Sequence, residues 1–265
     1  MLERVGKKIM RIQRNGKDIL NIANRGRLVY THGDTTPQMV LVCQVAGQLN
    51  LASNIDRYGI TGMIDWGDGS DPTHWEPGSS FSRFHTYAAA GEYRVTITGT
   101  IAWKEASESD YYNGSSSLPK HLKRIELPTG ISPIRSKTSR AFRNFIYLEN
   151  IPAGLYNHIP SENDFSYDFY NCRIKEIPPN LFKLCKSGKY FSYTFAGNDL
   201  EAIPENLFKH IAPMYLDGCF ARNSGITGKL PELWNTPRSI STYEGCYEGC
   251  VNASNYADAV AAGWA

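Results

Sequence analysis

Leucine recurs on a fixed period through the second half of this chain. Leu148, Ile174, Leu200 and Ile226 are evenly spaced, and so are Leu155, Leu181, Leu207 and Leu233. Each member of the second series is followed by an aromatic residue: Tyr156, Phe182, Phe208 and Trp234. Proline keeps step at Pro152, Pro178 and Pro204, then arrives one residue late at Pro231. A period of about 26 residues specifies a solenoid of stacked supersecondary units. No unit can bury its apolar face alone, so each needs its neighbours. Extended stacks of this kind present binding surfaces, which directs the reading away from catalysis.

The rest of the composition narrows the classes further. At 265 residues the chain has room for two or three small domains. The net charge of +2, with no basic run, gives no reason to expect a nucleic-acid partner. The longest apolar stretches, such as 39–45, are too short to span a bilayer, so no membrane insertion is expected. The first residues are basic but lack the apolar core of a secretory signal. Without export to an oxidising compartment, the six cysteines are not expected to form a disulfide framework.

Residues 1–36 carry a smaller duplication. The segment Ile12–Ile19, with Asn15-Gly16, is echoed by Ile22–Val29, with Arg25-Gly26. A turn dipeptide of this kind between apolar alternations predicts a tight β-hairpin, because both turn residues need positive φ. The pattern resembles the short N-terminal strand repeats of phage tail and other virion proteins.

Residues 37–103 contain Ile64-Asp65-Trp66-Gly67-Asp68-Gly69, then Phe84-His85-Thr86-Tyr87, then Gly91-Glu92-Tyr93 and the alternation Tyr93, Val95, Ile97. The glycines suit a tight turn that Asp68 can cap, and Tyr87 and Tyr93 suit a core. In this order the three pieces resemble a PKD domain, an immunoglobulin-like β-sandwich. The resemblance implies structural roles for Asp65, Trp66, Gly67, Asp68, Gly69, His85, Tyr87 and Tyr93. Ile64 stands where that family often has tryptophan, so an aliphatic group is expected in its place. Residues 104–117 are small and polar and read as a linker or long loop.

From 118 to 265 the repeats extend backwards from their Leu-Phe ends. Tyr190, Tyr193, Phe195, Asn198, Leu200, Ile203, Leu207 and Phe208 resemble the leucine-rich-repeat pattern with aromatics in the first three leucine places. The Phe/Tyr-x-x-Cys form at Phe169–Cys172 and Tyr247–Cys250 resembles the BspA-type repeats of bacterial surface proteins. Phe142 and Phe145 fall off the spacing, and insertions near Ser224-Gly225 and Lys229 predict irregular ends. If the Tyr/Phe segments are strands with Tyr167, Phe169, Tyr193 and Phe195 inward, then Ser166, Asp168, Tyr170, Ser192, Thr194 and Ala196 face out as the candidate binding surface. Trp75, at the tip of the 37–103 unit, is a second candidate surface or else core.

No cofactor, metal or catalytic residue is expected. Asp65, Asp68 and Asp71 share a turn but lack EF-hand spacing. Cys246 and Cys250, with Cys219 and Cys172, lack zinc spacing and a histidine pair. Cys172 and Cys250 fall where a small buried side chain bonds the loop backbone, while Cys219 and Cys246 are expected to be exposed. The six histidines are scattered, and neither a nucleophile elbow nor a phosphate loop is present. These features predict a mainly β chain: N-terminal hairpins, an immunoglobulin-like sandwich and a leucine-rich-repeat solenoid. The expected function is that of a non-enzymatic virion protein, a phage tail, fibre or capsid-associated component, assembled in the host cytoplasm. Expected partners are other virion proteins, further copies of the chain in a homo-oligomer, and a host-surface protein or glycan. The alternative is a bacterial cell-surface adhesin module.

Overall fold

The computed structural model describes residues 8–14, 17–24, 27–29, 36–52, 54–76, 83–105, 118–235 and 240–265. The fold is mainly β, with few helices. Strands β1 (Lys8–Arg14), β2 (Lys17–Asn24) and β3 (Arg27–Val29) form an antiparallel meander in chain order. Arg14 pairs with Lys17 and Asn24 with Arg27, leaving two residues at each reversal, as the Asn-Gly and Arg-Gly dipeptides predict. The turn residues themselves lie outside the described residues.

The next strands are β4 (Gln38–Val45), β5 (Gln48–Asn50), β6 (Ile55–Asp65), β7 (Thr73–Trp75), β8 (Phe84–Thr86) and β9 (Gly91–Trp103). After a 3-10 turn come β10 (Leu122–Glu126) and β11 (Ile134–Lys137). One six-stranded sheet runs β10-β4-β9-β6-β7, with β11 parallel to β9, and β5 pairs with β8 in a separate sheet. Val95, Ile97, Ile101 and Trp103 of β9 are buried, as are Ile64 and Trp75. Trp75 is therefore core rather than an exposed tip. Its indole lies 1.8 Å from where a Cβ on Gly62 would stand, so only glycine lets the ring close on β6.

Strand pairing crosses the boundary expected at 118. Strands β10 and β11, expected with the repeats, complete the sheet of 37–103. The same β10 also meets the repeats: the Glu149 amide donates to the Lys123 carbonyl at 2.9 Å, and the Asn150 side chain both accepts from Ile125 N and donates to Ile125 O. The Trp103 ring stacks on Phe142 at 4.6 Å, and its indole N–H donates to the Ala141 carbonyl at 2.8 Å. The loop expected over 104–117 lies outside the described residues from 106 onward.

From residue 138 the described chain holds isolated bridges and turns rather than strands. Parallel bridges join Asp164 to Tyr190, Tyr190 to Tyr215 and Tyr215 to Thr242. Alternate amides donate to the following segment: Phe165 to Tyr190, Tyr167 to Ser192, Phe169 to Thr194 and Asn171 to Ala196. The intervening amides turn back on their own segment, Asp168 N to Phe165 O and Tyr170 N to Tyr167 O. The segment is thus a run of tight turns, and its buried side chains follow a spacing of three and four, as at Phe165, Asp168, Phe169 and Cys172.

Aromatic rings run through these turns. Phe142 lies on Phe169 at 5.3 Å, Phe169 on Phe195 at 5.7 Å, Phe195 on Phe220 at 5.7 Å and Phe220 on Tyr247 at 5.7 Å. Phe142 is therefore in register, against the expected irregularity. The periodic leucines and isoleucines at 148, 174, 200 and 226 are all fully buried beside them. The last turn is covered by helix α1 (Tyr256–Ala261) and by Trp264, whose carbonyl accepts from Tyr247 N at 2.9 Å. No helix among the described residues is long and apolar enough to cross a membrane.

Candidate binding surface

The Asp65–Tyr87 motif forms one local assembly. Asp65 Oδ1 accepts from the Gly67 amide at 2.9 Å, and Asp68 Oδ1 accepts from the Ser70 amide at 3.0 Å. Gly67 has φ of +81°, and a Cβ there would stand 2.5 Å from the Arg94 carbonyl. Asp68 Oδ2 lies 2.7 Å from His85 Nε2, and the His85 ring stacks on Trp66 at 5.1 Å. The Tyr87 hydroxyl donates to the Trp66 carbonyl at 2.9 Å, with its ring on Tyr93 at 3.9 Å. Partial burial opposes ionisation of Asp68, but hydrogen bonds from Ser70 and His85 outweigh it and hold the carboxyl at about 2. Tyr87 is buried as expected, while Tyr93 is half-buried. Gly69 has φ of +86° in open space, and Asp71 is exposed. Among the described residues no three His, Cys, Asp or Glu side chains converge as a metal site.

The expected outward face does not survive the turn geometry. Ser166, Tyr170 and Ser192 are partly exposed, but Asp168, Thr194 and Ala196 are fully buried. Alternation between faces requires extended backbone. Here Tyr167 and Tyr193 have φ of 58° and 56°, which breaks the alternation and turns those two rings outward to a half-buried position. Asp168 meets a buried Lys137 Nζ at 3.0 Å, and its other contacts are the Ala141 amide at 3.0 Å and the Tyr156 hydroxyl at 2.8 Å. Burial pushes the Asp168 carboxyl up, against the pull of Lys137, Ala141 and Tyr156.

The cysteines are structural. Cys172 and Cys250 donate to the carbonyls of Phe142 and Phe220, both at 3.2 Å, as their repeat position implied. Asn198 and Asn223 occupy the same position and donate to Phe169 O at 2.7 Å and Phe195 O at 2.9 Å. Cys219 and Cys246, expected to be exposed, are fully buried, and burial raises both thiols well above their ordinary range.

The surface that remains is built on the left-handed residues. Two such positions recur four residues apart in every turn: 140 and 144, 167 and 171, 193 and 197, 218 and 222, 245 and 249. Tyr167 stacks on Tyr193 at 5.0 Å, and Tyr193 covers Gly218, where a Cβ would stand 2.3 Å from the ring. The guanidiniums of Arg140 and Arg143 lie 5.5 Å and 5.8 Å from the Tyr167 ring centre, and that of Arg222 lies 6.0 Å from Tyr170. Both Arg140 and Arg143 lean on one carboxylate, Glu105, at 3.9 Å and 3.6 Å. The sequence does not announce this row of guanidiniums and phenols, because alternating Tyr and Phe reads as a strand with Tyr167 and Tyr193 inward, whereas both have positive φ. The Asn and Gly residues at 171, 197, 218, 245 and 249 were the available sign of left-handed backbone.

Comparison with protein-family models, with curated proteins and with solved structures finds no match.

Proposed function

We propose that this chain is a non-enzymatic recognition protein of a virus particle, a phage tail, fibre or capsid-associated component. In this reading residues 37–137 are a PKD-like, immunoglobulin-like sandwich and the turns beyond it are a BspA-type leucine-rich-repeat solenoid. The observation that carries it is the outward row of tyrosine and arginine held at left-handed positions in successive turns. Tyrosine and arginine are the side chains that dominate recognition surfaces, because each combines an apolar plane with polar donors. The β1–β3 meander, with its resemblance to virion strand repeats, serves as the attachment segment to other virion proteins. Particle symmetry then makes the chain a homo-oligomer. Mass spectrometry of purified particles is expected to find the chain at a fixed stoichiometry. Its absence there, with presence in a bacterial envelope fraction, would replace this reading by that of a surface adhesin module.

A further inference from the structure

Lys137 and Asp168 are held as two groups that can react with each other. Both side chains are 0% exposed. Lys137 Nζ stands 3.0 Å from Asp168 Oδ2 and 3.3 Å from Oδ1, so the nitrogen faces the carboxyl carbon rather than one oxygen alone. Nζ also donates to the Asp164 carbonyl at 2.7 Å and to the Thr138 carbonyl at 3.4 Å. Two of its hydrogens are thereby drawn away from Asp168, and in the neutral amine the lone pair takes the direction that remains. Aromatic rings wall the nitrogen in: the Phe165 ring centre lies 4.5 Å from Nζ and that of Tyr156 lies 5.7 Å away. Groups fixed at this separation need no encounter step.

The carboxyl is prepared from the other side. The Ala141 amide donates to Oδ1 at 3.0 Å, and the Tyr156 hydroxyl donates to Oδ2 at 2.8 Å. Burial pushes this carboxyl up, toward the protonated acid that condensation with an amine requires. One proton passed from Lys137 to Asp168 leaves a neutral amine against a neutral acid, which a dry site favours over two separate ions. A buried ion pair is otherwise a weak source of stability, since two apolar side chains of similar volume serve a fold as well or better.

We infer that Lys137 and Asp168 join in an intramolecular amide bond. The neutral Lys137 nitrogen attacks the Asp168 carboxyl carbon, and the Tyr156 hydroxyl stabilises the negative charge that builds on Oδ2. The bond from carbon to Oδ1 then breaks, and Oδ1 leaves as water with the proton of the acid and one proton from the nitrogen. The other amine hydrogen remains as the amide N–H, and no oxidant, reductant or further reactant is needed. The bond ties the end of β11 covalently to the turns. The ion pair is the state before reaction, so ion-pair energetics belong to chain that still has its full sequence mass.

The test is the intact mass of the full chain under denaturing conditions, which is expected to fall short of the sequence by one water. Asp68-Gly69 can also lose water, by cyclising on its own backbone, so tryptic mapping decides the place. A branched peptide joining the segments around Lys137 and Asp168 is expected, with no cleavage after Lys137. Lys137→Met and Asp168→Ala are expected to lack this peptide. In Tyr156→Phe, which keeps the ring, the linked fraction at purification and through later incubation is expected to grow about tenfold or more slowly. Should these variants fail to fold, the branched peptide of the parent still decides. A parent that keeps its full sequence mass on prolonged incubation, or one whose missing water maps away from Lys137 and Asp168, overturns the inference. Linkage as fast in folded Tyr156→Phe as in the parent overturns the part given to Tyr156. None of these results alters whether the chain is found in purified particles, so this inference and the proposed function fail separately.

Discussion

Asp68 uses one oxygen for the Ser70 amide and hydroxyl and the other for His85. Its folded pKa lies below the ordinary value, so between 3.8 and about 2 the unfolded chain holds more protons than the folded protein. Stability from this carboxylate is therefore complete above that window and is lost as pH falls through it. Asp68→Asn is expected to lower stability at pH 7 by about 1–2 kcal/mol, allowing for solvent screening, and to lie much closer to the parent at pH 2. Urea unfolding at both pH values checks this, and a gap of equal size at pH 2 contradicts it. The arrangement was legible in the sequence because it is local: Gly67 and Gly69 mark the turn, and Asp68 caps it. Asp168 was not legible. Nothing near it in sequence announces that Lys137 Nζ, Tyr156 and the Ala141 amide close around it.

At the scale of elements, that same ion pair ties β11 to the turns. Lys137 ends β11, and its ammonium reaches Asp168 at 3.0 Å and the Asp164 carbonyl at 2.7 Å. Both side chains of the pair are 0% exposed, so desolvation offsets much of their attraction. Removing one partner is far worse, because the other charge is left buried. Lys137→Met is expected to cost about 3–5 kcal/mol, and adding Asp168→Asn to recover most of it, since the amide oxygen still accepts from Ala141. Denaturant midpoints of the parent, single and double variants decide this; a double variant as unstable as the single one would count against the account. The repeat period itself was readable, because the leucines at 155, 181, 207 and 233 are all buried. The conformation between them was not. Tyr and Phe in alternation read as strand, whereas positive φ at Tyr167 and Tyr193 makes them turns with a different inward set.

The whole molecule shares one core across the boundary that composition suggested. Polar, small residues over 104–117 read as a linker, but sequence composition cannot show that β10 and β11 cross back to pair with β4 and β9. Residues 39–43 of β4 are all buried, so this strand is covered on both faces and needs a neighbour on each edge. Cutting the chain after residue 117 removes β10 from one edge of β4 and β11 from β9. It also removes the Phe142 ring that stacks on Trp103. A fragment of residues 36–117 is accordingly expected to be unfolded or aggregated, although it contains the whole motif from Asp65 to Tyr93. The full chain, by contrast, is expected to unfold in a single transition, because Trp103 and β10 transmit loss of either half to the other. Trp fluorescence followed alongside thiol labelling of Cys43 and Cys219, one in β4 and one in the turns, tests both statements. Coincident midpoints support one cooperative unit. A fragment that folds with a sharp transition, or a full chain whose Cys219 is labelled well before Cys43, would restore two separable domains joined by a linker.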